Sequence, residues 1–187
     1  MITDAERAFA VKQLDQSRGR LLRILQGLSP EQLLYRPDPE RWSIAENVEH
    51  LTVVEKRLIG GIDKMQQEPP DLSRQCALCD AEVVWLIGNV VNPVKAPERV
   101  LPTLRWPVET LVQEFETTRQ GSRDFTSTTS GDLRHHFIPH PFFGDLDCYQ
   151  WLLAIGAHCN RHCTQSEAVR ATIDRAITSL PELPKSP

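Results

Sequence analysis

The sequence predicts an all-α protein, a four-helix bundle whose helices are joined by long crossover connections. Three observations carry the prediction. Four long segments repeat apolar residues every three or four positions, the period of one helical face. Prolines interrupt the chain between these segments, and capping signatures mark where several helices begin. A chain of 187 residues, 40% hydrophobic and 25% charged, suits one domain over residues 1–187, in which four apolar stripes bury one another.

The first helix is expected from Asp4 to about Gln26, with Leu14, Ser17, Leu21, Ile24, Leu25 and Leu28 on one stripe and Gly27 as its stop. Ser29-Pro-Glu-Gln32 reads as a short helical turn with a capping box, stopped by Pro37 and Pro39. The second long helix begins at Ser43, whose hydroxyl is placed to accept from the amide of Glu46 while that carboxylate bonds back. This makes Glu46 a cap rather than a catalytic base. Ile44, Val48, Leu51, Leu58, Ile62 and Met65 form its stripe, and His50 lies at the edge of it.

From Gln67 to Trp106 the pattern weakens under Pro69, Pro70, Pro93, Pro97 and Pro102. A loop of that length without structure is unusual, so a short helix near Asp80 to Asn89 is expected, together with a lid or partner surface. Pro107 opens the third long helix, with Val108, Leu111, Val112, Phe115 and Phe125 at helical spacing. The stretch from Asp132 to Asp147 reads as a connection, with His135, His136 and His140 as solvated or loop-packing residues; His140 is also a candidate for the site entrance. The last helix runs from about Asp147 to Thr178, with Trp151, Ile155, His158, His162, Gln165, Val169 and Ile173 following one another at intervals of three or four. Trp42 and Trp151 are expected to be core aromatics.

Charge and cysteine content exclude some functions. The net charge is −4 and no short window is dominated by Lys or Arg, which argues against nucleic acid as a partner. No apolar stretch approaches the roughly 18 residues of a membrane span, so a soluble, cytoplasmic protein without a membrane partner is expected. Five cysteines form an odd set, so reduced thiols are expected rather than a disulfide framework. Cys76 and Cys79 have zinc-ligand spacing, and His136 with His140 would complete a set of four. The gap between the pairs is far longer than the roughly 12–15 residues of a zinc finger, so both cysteines read as loop thiols.

The chemistry concentrates on the last helix. His158 and His162 are four residues apart and project from one face, so both imidazoles can close on one metal ion. His50 can supply a third nitrogen if the second and last long helices meet. The competing reading is a pair of hydrogen-bonded packing histidines. Several polar side chains on one buried stripe are costly without a strong common partner, which raises the metal reading to stand level with the packing one. Gln165, at i+7 from His158, is either an amide that orients His162 or a metal-bound water, or a helix-interface side chain. Cys159 and Cys163 each follow a histidine by one residue, roughly 100° around the helix, and read as small apolar packing groups.

Trp42-Ser-Ile-Ala-Glu-Asn-Val-Glu-His-Leu51 and His140-Pro-Phe-Phe-Gly-Asp-Leu-Asp-Cys-Tyr-Gln-Trp151, leading to His158-x-x-x-His162-x-x-Gln165, resemble the paired signatures of the DinB-like superfamily. The resemblance covers nearly the whole chain, to about Thr178. It implies a four-helix bundle, commonly dimeric, in which His50, His158 and His162 hold one divalent metal, usually nickel or zinc. It also implies either a metal-dependent thiol S-transferase, joining a low-molecular-weight thiol such as bacillithiol or mycothiol to a small electrophilic substrate, or a metal-dependent hydrolase. A non-enzymatic metal-binding or stress-associated bundle protein is the rival from another class. The apolar run from Val83 to Val91 adds a second reason to expect a homodimer.

Overall fold

The computed structural model describes residues 1–89 and 95–178. Six α-helices follow in chain order: α1 (Asp4–Leu25), α2 (Pro30–Leu34), α3 (Ile44–Met65), α4 (Asp80–Gly88), α5 (Val108–Thr128) and α6 (Cys148–Thr178). A 3-10 turn at Glu98–Val100 precedes α5. The connection before α6 is not simply a loop. It forms an antiparallel hairpin of β1 (Phe137–His140) and β2 (Gly144–Asp147), paired from Phe137 with Asp147 to His140 with Gly144. Strands of four residues, one of them containing Pro139, are too short to show an alternating pattern in the sequence.

Local chemistry sets the helix starts. Ser43 caps α3, its hydroxyl accepting from the Glu46 amide at 3.2 Å while Glu46 accepts from the Ser43 amide at 2.8 Å. The same reciprocal box, formed by Thr3 with Glu6, starts α1. Gly27 stops α1 with φ +78°, a conformation that a residue without Cβ adopts freely. Asp147 starts α6 by accepting from the Gln150 amide at 2.7 Å.

Helices α1, α6, α3 and α5 form a ring in which each packs on the next, and α4 lies against α6. Cross-links give their directions. Arg20 reaches Glu167 and Arg170 reaches Gln26, so α1 and α6 run parallel. Lys56 reaches Glu114 and the Thr129 hydroxyl reaches Gln66, so α3 and α5 also run parallel. A parallel neighbour cannot be reached by a tight turn, because the chain must travel back along the 22-residue α3, about 33 Å. This return explains the long segment between α3 and α5, which carries α4 and the 3-10 turn. Val90 and Val91, the end of the apolar run expected to face a partner, lie outside the described residues.

One core centres on the first half of α6, where Leu152, Leu153, Ala154 and Ile155 are all buried because α1, α3 and α4 surround that stretch. The ring order also makes α3 and α6 neighbours, with Asn47 opposite His162 and His50 opposite His158. That pairing builds the site.

Candidate metal centre

His50 and His162 are buried, and His158 is half-buried between them. His50 Nδ1 lies 2.8 Å from the Val100 carbonyl and His162 Nδ1 lies 2.7 Å from Asn47 Oδ1. Each Nδ1–H therefore donates outward, leaving the Nε2 lone pair turned inward. His158 Nε2 stands 3.3 Å from His50 Nε2 and 3.1 Å from His162 Nε2. These contacts cannot all be hydrogen bonds, because two of the nitrogens are acceptors and the third can donate to only one of them. A cation at their centre satisfies all three lone pairs. Nitrogens bound about 2.0–2.1 Å from a tetrahedral ion lie roughly 3.3 Å apart, which the two separations to His158 match, and the three ligand atoms all lie within 4.8 Å of one another. The cluster could hold one divalent metal ion, and it is the group of this kind found among the described residues.

The surroundings keep the imidazoles neutral, the form that binds metal. Burial, followed by repulsion from His162 and His50, holds His158 well below the ordinary histidine value. Burial, with the His50 and Arg161 charges, does the same for His162, against the Gln165 side chain, which raises it as an acceptor for the protonated ring. His50 is lowered by burial in spite of its bond to Val100.

Two supports of this geometry leave little trace in the sequence. Asn47 orients His162, and its one sequence signal is that it precedes His50 by three residues on the same helical face. Glu49, fully buried, accepts from the backbone amides of Thr103 and Arg105 at 2.7 and 3.1 Å and from Arg105 Nε at 2.8 Å. It pins the crossing segment to α3, which places the Val100 carbonyl over His50.

The cluster forms the floor of an open cavity of about 750 Å³. Ala96, Pro97, Arg99 and Val100 of the crossing segment line one side and the hairpin turn lines another. Trp42 is not a core aromatic as expected. It is part-exposed in the cavity, its ring centroid 4.9 Å from that of His50 and stacked at 6.0 Å on His162. Trp151 does belong to the core, and its indole N–H donates to the Ile138 carbonyl at 2.9 Å. His140 lines the cavity, stacked on Phe143 at 4.5 Å, with burial and then the Arg161 charge lowering its pKa to about 4. Gln165 lines the cavity beside His162 and is exposed.

The remaining candidates lie elsewhere. Cys159 and Cys163 are buried and turn toward the Ser17 carbonyl of α1, at 3.7 and 4.0 Å, as packing thiols. His136 has its two ring nitrogens 2.6 and 2.9 Å from the carbonyls of Asp132 and Glu68, and His135 pairs with Asp132. Cys76 accepts from the Asp147 amide and Cys79 precedes α4, so the four-residue zinc set is not assembled.

The chain is 25% identical over 153 residues to the uncharacterized protein YuaE of Bacillus subtilis (strain 168), covering 81% of this chain and 91% of that protein. It also aligns with the crystal structure of TT2238, a four-helix bundle protein, at 18% identity and a TM-score of 0.47, covering 90% of this chain and 98% of that one. The family model of the DinB superfamily matches residues 13–166, which include all three clustered histidines together with Asn47 and Trp42, and on that match the chain belongs to the DinB superfamily.

Proposed function

We propose that the protein is a divalent-metal-dependent enzyme that activates a low-molecular-weight thiol against a small electrophilic substrate. His50, His158 and His162 are the metal ligands in this reading. The convergence of their three Nε2 atoms on the floor of an open cavity carries it. Zinc or nickel bound there would supply Lewis acidity, lowering the pKa of a coordinating thiol or water into the neutral range. Asn47 and the Val100 carbonyl fix two imidazole tautomers, Trp42 limits water on one side, and Gln165 is within reach to orient a group beside His162. Metal-dependent hydrolysis is the second reading, supported by an open cavity of about 750 Å³ above the histidines, which holds water as readily as a thiol.

The test compares chelated with metal-restored protein in conjugation of electrophiles to bacillithiol, mycothiol and glutathione, beside ester and amide hydrolysis. Metal-restored turnover that disappears in His162→Ala is the expected result and identifies the reaction class. A metal-loaded protein that turns over nothing in the panel would favour a metal-binding bundle without activity.

Acid should strip the metal. Protons compete with the ion for the three imidazoles, and in the folded protein their pKa values lie below the usual value of about 6.5. The half-point of zinc release is therefore expected below pH 6.5, followed by a zinc-sensitive dye; release already complete at pH 7 would contradict the neutral cluster. The sign for folding without metal is the same. The unfolded chain takes up these protons first, so stability is retained above about pH 6.5 and lost as pH falls toward the lower folded values.

Assembly and compartment belong to the same proposal. Trp85 on α4 and Leu72 are 64% and 74% exposed, which suits burial against a second copy. Light scattering is expected to give twice the 21.3 kDa chain mass, and a monomer at every micromolar concentration would remove the homodimer. Among the described residues no helix is long and apolar enough to cross a membrane. The five cysteines are free, which supports a cytoplasmic setting.

A further inference from the structure

Arg41, Arg57, Arg99 and Arg161 line the cavity above the histidines, against one carboxylate, Glu40. In a chain of net charge −4 this concentration of cations is local. Elsewhere Arg36, Arg105, Arg119 and Arg134 each hold a carboxylate, whereas none of the cavity arginines forms an ion pair among the described residues.

Arg161 is the most constrained of the four. Its Nε is buried without a hydrogen-bond partner, and its Nη2 lies 3.5 Å from His162 Nε2, the lone pair that a metal ion would take. A buried charged donor left unpaired is costly, and a carboxylate satisfies a guanidinium with two parallel hydrogen bonds. The walls above it, including Trp42, Val54, Leu58, Phe143 and Trp151, suit an apolar body.

We propose that this cavity recognises its substrate as an organic anion, a carboxylate on an apolar or aromatic body, with Arg161 binding the carboxylate near the floor. Arg41, Arg57 and Arg99, which are exposed, draw the anion in from solvent. The proposal rests on the cavity being the substrate site of the metal centre, but the charge on Arg161 is present with or without the ion. A combined test can therefore separate the two ideas.

The probes are 2-naphthoate and its neutral isostere 2-naphthamide, titrated calorimetrically into the full chain in zinc-loaded and chelator-stripped forms, with bound zinc measured in each sample. The acid is expected to bind at least about tenfold more tightly than the amide in both forms. Arg161→Gln should abolish that preference while leaving zinc stoichiometry unchanged, and Arg161→Lys, which keeps the charge but not the fork, should retain part of it. Arg99→Gln, at an exposed position, should weaken the acid selectively and with strong salt dependence. Equal binding of acid and amide, absence of binding by both, or a preference that survives Arg161→Gln overturns the proposal. A preference confined to the zinc-loaded protein and indifferent to Arg161 also overturns it, because the ion would then hold the carboxylate. An Arg161-dependent preference in protein that binds no zinc supports the anion site and overturns the metal reading instead.

Discussion

His158→Ala is expected to weaken zinc or nickel binding by more than about 100-fold. Loss of groups that only orient metal ligands costs about 10–100-fold, and removing one of three ligands costs more. His158 is the bridging member of the cluster, with its Nε2 3.3 Å from His50 Nε2 and 3.1 Å from that of His162. Two graded controls accompany it. Asn47→Leu removes the acceptor that holds His162 Nδ1–H and should fall within the 10–100-fold range. Cys159→Ala, on the face toward Ser17, should leave both stoichiometry and affinity unchanged. Competition against a chromogenic chelator measures all three, and an equal loss in His158→Ala and Cys159→Ala would show that the ligand set is wrong.

The sequence carried most of the helical layout because side-chain period and capping are local properties. Leu14, Ser17, Leu21, Ile24 and Leu25, read as one stripe, are all buried in α1, and Ser43 caps α3 through Glu46 as its spacing requires. The i and i+4 relation of His158 and His162 was legible for the same reason. Which helix lies opposite is not a local property. Periodicity assigns each helix a buried face but no partner, so it left open whether His50 meets the α6 pair; the family resemblance implied that meeting, and the ring order α1, α6, α3, α5 supplies its physical reason. The same limit hid Asn47 and moved Trp42 from the core to the cavity wall. Arg161 carries no signal in the sequence beyond its place beside His162, and only the cavity shows its Nε without a partner.

Arg119→Ala is expected to destabilise the protein by about 3–5 kcal/mol, lowering the melting temperature by on the order of 6–20 °C. Arg119 and Glu55 are both buried, and the guanidinium spans α5, α3 and α1. Its Nε and Nη2 donate to the Glu55 carboxylate at 2.8 and 2.9 Å, and its Nη1 donates to the Leu14 carbonyl and the Ser17 hydroxyl at 2.7 and 2.8 Å. Removing the cation leaves Glu55 charged, buried and without its partner. Most of the loss comes from that stranded charge, so replacing both residues together, as Arg119→Met with Glu55→Leu, should recover a large part of it. A double variant that melts as low as the single one would assign the loss to packing instead. Glu55 lies five residues beyond His50 on α3, and the guanidinium that grips it fixes that helix against two others. The double variant is therefore expected to regain its melting temperature more fully than its zinc affinity, because apolar packing restores stability without restoring the bidentate geometry that sets the position of α3 and, with it, of His50.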